Sequence, residues 1–259
     1  MSRRTLTILA VVVVVCGAYL WFFGVQTFCA LEARNIARKT PAVRQTPVEL
    51  RDLSVSPAPG TKLSGPGYEF EVPWDDLDEA RNKFVEGAGP VFNFRSGLIL
   101  FVRGGPPLEM VNALLTDTEQ GHKTVRQVYG DDALKSDYAL YRIMLETMPA
   151  SVTPFISRRE AIRKVMLLIL KRIEARRGSE TAMLAVSAGD FKGFEYGSPQ
   201  NILGGFGFEL FSDTGSLDFV FGLKGKTNTP VSQSDINRIL QTLHRLPPQP
   251  AASKPAIPR

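Results

Sequence analysis

Ser187 sits in the pentapeptide Ala185-Val186-Ser187-Ala188-Gly189 and is followed along the chain by Asp213, Asp218 and His244. Serine, carboxylate and histidine in that order are the parts of a nucleophilic relay. The hydroxyl attacks an acyl carbon, the imidazole takes its proton, and the carboxylate orients the imidazole. The second histidine, His122, stands three residues after Glu119 and five after Asp117. Donors three apart on a helix share a face, and divalent metal sites can be built from such pairs. A third group, Asp75-Asp76-Leu77-Asp78-Glu79, carries carboxylates suited to calcium or to acid–base work. Gly225-Lys226-Thr227 has the ending of a phosphate-binding loop.

Each of these patterns makes a demand on its surroundings. The serine segment resembles the nucleophile elbow of the α/β-hydrolases with Ala in place of the first Gly, which implies a strand before Ser187 and a helix directly after it. The following Asp190-Phe191-Lys192-Gly193-Phe194-Glu195-Tyr196 reads instead as a turn and a second strand. A hairpin is expected, with Ser187, Asp213, Asp218 and His244 retained as catalytic candidates. Asp117, Glu119 and His122, with Asp131 and Asp132 nearby, are the metal candidates, but one local histidine would need several distant carboxylates to complete a site. A solvated helix end is expected there, and neither metal nor cofactor. The acidic run at 75–79 lacks the central glycine of a calcium loop. It is expected to open a helix, with Asp75 as its cap and the acids in the first turn. For the phosphate loop, glycine is required five residues before Gly225, and that position holds Val220.

The elements that must position these groups begin with a membrane address. After Arg3-Arg4, the stretch from Leu6 to Val25 is apolar save for Thr7, with no charge in it. About twenty helical residues cross a hydrocarbon core of roughly 30 Å. Residues 6–28 are therefore expected to form an uncleaved transmembrane signal-anchor helix behind a short tail, 1–5. Cleavage after Ala30 or Ala33 would put Phe28 or Leu31 where a small residue belongs. The partner this implies is the lipid bilayer. Arg3 and Arg4 abut the run, whereas Arg34, Arg38, Lys39 and Arg44 begin about nine residues beyond it, and long domains translocate largely regardless of charge. The main domain is expected outside the cytoplasm, periplasmic or extracellular, with a possible protein partner in the envelope.

Charge excludes one class of partner. Residues 1–45 carry six basic residues and one acid, and residues 46–259 carry 25 of each sign, so the net +5 is confined to the juxtamembrane end. A neutral domain lacks the electrostatic footprint of nucleic-acid binding. Both cysteines, Cys16 and Cys29, fall in or beside the membrane segment. Thiolate catalysis and cysteine–zinc sites are thus not expected in the domain.

The polar, proline-punctuated stretch 29–65 is expected to be a linker, 66–246 a single α+β domain, and 247–259 a disordered proline-rich tail. Tyr68–Val72 alternates as a half-buried strand, and 91–95 with 98–103 form a hairpin around Ser96-Gly97. From Pro107 to Gly178 the period is helical, with breaks near Gly121, Gly130 and Pro149. The long central helix near 157–177 is apolar on every side through its middle and is expected to be buried there. Strands return at 182–187, 191–196, 205–211 and 217–221. The last two form a hairpin with Phe206, Phe208, Leu210, Leu217, Phe219 and Phe221 on one face. A closing helix runs from Gln233 to Arg245 after Ser232 as N-cap. Strands, helices, strands and a helix in this order give a mainly antiparallel sheet covered by helices. The order resembles, in architecture alone, the small α/β sandwich domains of the PsbP type; no shared motif accompanies the likeness, and no residue role or activity comes with it.

The function expected is a non-catalytic, membrane-anchored binding or scaffold domain. The alternatives are an apolar-ligand carrier using the phenylalanine-rich sheet face, and a membrane-tethered serine hydrolase.

Overall fold

Period-two alternation is realised in a large sheet whose inner face is built from aromatic and aliphatic side chains. The computed structural model describes residues 3–49, 54–55, 60–65, 67–86, 89–114, 119–174, 183–224 and 231–247. In chain order the elements are α1 (Arg3–Lys39), β1 (Val48–Glu49), β2 (Thr61–Gly65), β3 (Tyr68–Val72), β4 (Lys83–Val85), β5 (Gly89–Asn93) and β6 (Leu98–Gly105). Four helices follow: α2 (Glu109–Leu114), α3 (Glu119–Tyr129), α4 (Asp137–Glu146) and α5 (Arg158–Glu174). The chain closes with β7 (Leu184–Ala188), β8 (Phe191–Tyr196), β9 (Phe206–Ser212), β10 (Gly215–Leu223), α6 (Gln233–Thr242) and β11 (His244–Arg245). Eight strands pair in the order β1-β7-β8-β9-β10-β6-β5-β4, and β11-β3-β2 form a second, small sheet. Every described pairing is antiparallel except β1 with β7. The fold is thus α+β with a mostly antiparallel sheet and helices.

The inner face of the large sheet carries Leu98, Leu100 and Val102 of β6, Phe206, Phe208 and Leu210 of β9, and Leu217, Phe219 and Phe221 of β10. They meet Phe70 and Val72 of the small sheet and Ile236, Ile239 and Leu240 of α6. Phe208 stacks on Phe219 with centroids 4.4 Å apart, and Phe70 meets Phe219 edge-on at 5.2 Å. Helix α6 starts in a full capping box: Ser232 Oγ accepts from Asp235 N–H, and Ser232 N–H donates to Asp235 Oδ2. Thr242 Oγ1 then accepts from Glu71 N–H at 2.8 Å, fixing the end of α6 on β3. The opposite face is covered over its β8–β9 half by α4, with Tyr138 and Tyr141 against Phe194 and Phe211.

Helix α1 is where the expected organisation needs correction. It does not stop at residue 28 but runs on to Lys39, and β1 and β2 also lie inside the stretch 29–65 expected as linker. Cys29, Ala30, Ala33, Ile36 and Ala37 are buried against Ala161, Val165 and Leu168 of α5. Arg34, Arg38 and Lys39 stay exposed on the other side. The spacing 29-30-33-36-37 is an amphipathic stripe of mostly small side chains, which lets two helices approach closely. Cys29 accordingly belongs to the domain interior. Among the described residues no helix is long and apolar enough to cross a membrane; the side chains of residues 3–16, 18 and 20 lie outside the described set.

Three further expectations change. The acids at 75–79 open only a single 3-10 turn, Glu79–Arg81, with no side-chain cap. Asp76 instead serves the β5–β6 turn, its carboxylate accepting from Ser96 N–H at 2.6 Å and its carbonyl from Arg95 N–H. Gly121 does not break α3, which runs through it to Tyr129 and stops before Gly130, whose φ is 84°. Helix α5 buries Ala161, Val165, Leu167, Leu168 and Lys171 but leaves Ile162, Met166 and Ile173 exposed, so its middle is covered on two sides and not all round. The proline-rich tail beyond Leu246-Pro247 and Gly225-Lys226-Thr227 lie outside the described residues.

Candidate functional site

Alternation on β10 sends Leu217, Phe219 and Phe221 into the core, so Ser216 and Asp218 point to the helical face. Register places Asp218 opposite Arg103 of β6 on one side and Glu209 of β9 on the other. The sheet therefore lays a cation and two carboxylates in a row beside α2 and α4. Arg103 Nη2 donates to Glu109 Oε1 of α2 at 2.6 Å, and Tyr196 Oη donates to Asp218 Oδ1 at 3.4 Å. Asp137, nearly buried, accepts from Val111 N–H at 2.9 Å and so ties α2 to α4. Arg103, Glu109, Asp137, Glu209 and Asp218, with Met110, Tyr141 and Ser216, line a half-open recess of about 280 Å³. It gathers the four carboxylates of Glu109, Asp137, Glu209 and Asp218 around the single guanidinium of Arg103, with three of the carboxylates already accepting hydrogen bonds from Arg103, Tyr196 and the Val111 amide. Its sequence signal is the acid in the alternation of β9 and β10, Glu209 and Asp218, each set between a phenylalanine and a leucine.

The catalytic candidates are distributed over separate places. Ser187 lies within β7 of an antiparallel β7–β8 hairpin, paired with Lys192, and no helix follows it. It lines a recess of about 400 Å³ with Glu49, Tyr138 and Asn237. Asp213 is in the β9–β10 turn and lines a different recess of about 570 Å³ with Lys135, Asp190 and Lys192. Asp218 belongs to the recess just described. His244 is not in the closing helix, which ends at Thr242, but in β11 of the small sheet, opposite Glu69. Its Nδ1 is 2.8 Å from Thr242 O and its Nε2 is 3.4 Å from Glu69 Oε1, so the ring faces these two acceptors.

Of the metal candidates, Asp117 lies outside the described residues. Glu119 and His122, both exposed on α3, line an open recess of about 670 Å³ with Asp131. Lys123, Arg126 and Arg159 line the same recess, and their charges oppose a cation there. Among the described residues no group of three or more His, Cys, Asp or Glu side chains is arranged to hold a metal ion.

The phenylalanine face expected as an apolar pocket is filled by its own rings. Phe206, Phe208 and Phe219 have no exposed surface, and Phe206 and Phe221 pack with centroids 5.1 Å apart. Lys171 and Glu195 are, like Asp137, buried ionisable residues that the sequence reading does not single out. Lys171, 3% exposed, donates from Nζ to the carbonyls of Gln45 (2.6 Å), Leu145 (2.5 Å) and Thr147 (3.1 Å), and burial pulls its pKa down to about 8. Glu195, 1% exposed on β8, accepts from Gln233 Nε2 at 3.0 Å, and burial pushes its pKa up to about 7. Their signal is a charged residue within an apolar helix or between two aromatics on a central strand. No family model, curated protein or solved structure matches the chain, so the likeness to PsbP-type domains rests on element order alone.

Proposed function

We propose that this chain is a single-pass membrane protein whose α+β domain, held outside the cytoplasm, is a non-catalytic binding or scaffold module. The observation that carries this is α1. One 37-residue helix contains the apolar run 6–25 and then, from Gln26 onward, the stripe packed against α5. Whatever holds the run therefore holds the domain, directly and without a spacer. A non-catalytic role is supported by the placement of Ser187 in a hairpin strand and of His244 in the small sheet, where its ring faces Thr242 O and Glu69.

The contact elements favoured for a partner are the short edge strand β4, where Phe84 is 74% exposed, and the adjoining outward face of β5 and β6. An exposed edge offers main-chain groups to an added strand, and Phe84 offers an apolar anchor. The test is topological and chemical together. Protease added to intact spheroplasts should remove the C-terminal tail without lysis, while the rest of the chain resists alkaline extraction from membranes. A photoreactive residue at position 84 should give one discrete adduct in intact cells. Survival of the tail until lysis would refute the orientation. Alkaline release would refute the anchor. Failure of position 84 to crosslink would refute the docking edge.

A further inference from the structure

Phe155 lies in the connection between α4 and α5 and is 81% exposed, yet its ring is 6.3 Å from that of Phe23 at edge-on geometry. Phe23 stands two residues before the end of the apolar run. At 1.5 Å per residue its Cα is only about 3 Å inside that end, and a helical side chain leans back toward the N-terminus, deeper into the run. The ring contact therefore fixes the level of Phe155 whatever the tilt of α1. It lies within about 10 Å of the end of the span, where aromatic residues collect at the bilayer border. Tyr19, 5.4 Å from Phe23, and the exposed Trp21 and Phe22 share that level.

Beyond Phe155 the chain turns away at once. Ser157 Oγ accepts from Glu160 N–H at 3.2 Å, capping α5. Helix α5 then runs in the same direction as α1, since its start is beside Phe23 and Lys171 near its end reaches Gln45. Its first turn presents Arg158 and Arg159, both exposed. Arg159 Nε–H donates to Gln127 O at 3.2 Å and lines an open recess with Lys123 and Arg126 of α3, where these cations outnumber the carboxylates of Glu119 and Asp131. An apolar ring below a basic collar matches the depth order of acyl chains and anionic headgroups.

We infer that the α4–α5 connection is a second membrane contact, in which Phe155 enters the hydrocarbon border beside Phe23 while Arg158 and Arg159 meet anionic lipid headgroups. This rests on the reading of residues 6–28 as a membrane span. The contact pins the domain against rotation about α1 and gives one face of it a fixed orientation toward the bilayer.

The test uses the full chain reconstituted into phosphatidylcholine–phosphatidylglycerol vesicles with brominated acyl chains, which quench tryptophan at hydrocarbon depth. The native tryptophans are Trp21 and Trp74. The Trp74→Phe variant leaves Trp21 as the reporter of the span. The triple variant Trp21→Phe, Trp74→Phe, Phe155→Trp reports the second contact at a position whose exposure spares the core. The expected result is loss of emission from both reporters to a similar extent. Quenching of Trp21 with emission retained at position 155 would overturn the inference and leave the span standing. Emission retained by Trp21 itself would overturn the span, and the second contact with it.

Discussion

Replacing Glu195 by glutamine should make the protein more stable at neutral pH and leave it unchanged in acid. Glu195 lies on the inner face of β8, opposite Phe208, and its carboxylate accepts a hydrogen bond from the neutral Gln233 amide. A carboxylate removed from water without a cation beside it is destabilised, and its pKa rises to about 7 from an ordinary 4.5. Below 4.5 the group is protonated whether the chain is folded or not, so it imposes no penalty. Between 4.5 and about 7 the unfolded chain loses this proton while the folded chain keeps it. Stability then falls as pH rises, by up to tenfold in the folding constant per pH unit. Above about 7 both states are charged and the penalty is complete. Taken over the whole window it amounts to about 3 kcal/mol. Glutamine keeps the shape and still accepts from Gln233, but has no charge to bury. Urea unfolding of both chains in the same detergent micelles, repeated from about pH 4 to about pH 8, isolates this term because other titrations cancel in the difference. The variant should gain about 3 kcal/mol above neutrality, with the gain shrinking to nothing near pH 4. A difference independent of pH would refute the assignment, and a glutamine variant less stable at pH 8 would show that the charge has a stabilising partner.

Lys171→Met should destabilise the fold by about 3 kcal/mol, because three buried carbonyls, of Gln45, Leu145 and Thr147, lose a shared donor. A lower urea midpoint checks it, and an unchanged midpoint would show that the carbonyls find other partners. Gly193→Ala should cost about 3 kcal/mol or prevent folding, since an added Cβ would run into the Glu209 carbonyl and the Leu210 backbone of the neighbouring strand, neither of which can swing aside. A variant with native thermal stability would mean that β8 and β9 can part locally.

The strand half of this fold was legible because alternation is a local signal and hairpin turns carry their own chemistry. Ser96-Gly97, with Gly97 at a φ of 90°, links β5 to β6 where expected, and Ser212–Gly215 links β9 to β10. The closing helix was legible at its start, where Ser232 caps it, but not at its end. Pairing of His244 and Arg245 with Glu69 and Tyr68 pulls those residues into a strand, and nothing local announces a partner some 175 residues away. The same holds for the acidic run, where Asp76 gives its side chain and carbonyl to a turn twenty residues on and only a single 3-10 turn follows in place of the helix that Asp75 was expected to cap.

Helix α1 shows most clearly what composition conceals. A polar, charged stretch after an apolar run looks like a tether, but its charges at Arg34, Arg38 and Lys39 fall on one side and its small apolar residues on the other. The informative transition is at Val25–Gln26, where apolarity on all sides gives way to apolarity on one side, the pattern of a helix leaving one apolar surrounding and entering another. Gln26 is itself buried and turns its amide back to Phe22 O at 3.4 Å, within its own helix. Because the helix crosses this transition unbroken, the distance between the end of the apolar run and the domain core is set by helical rise and not by a linker's reach. A domain held in that way cannot choose its height above a membrane. Phe155, in ring contact with Phe23, and the exposed arginines that follow it must be compatible with whatever lies at the end of the run.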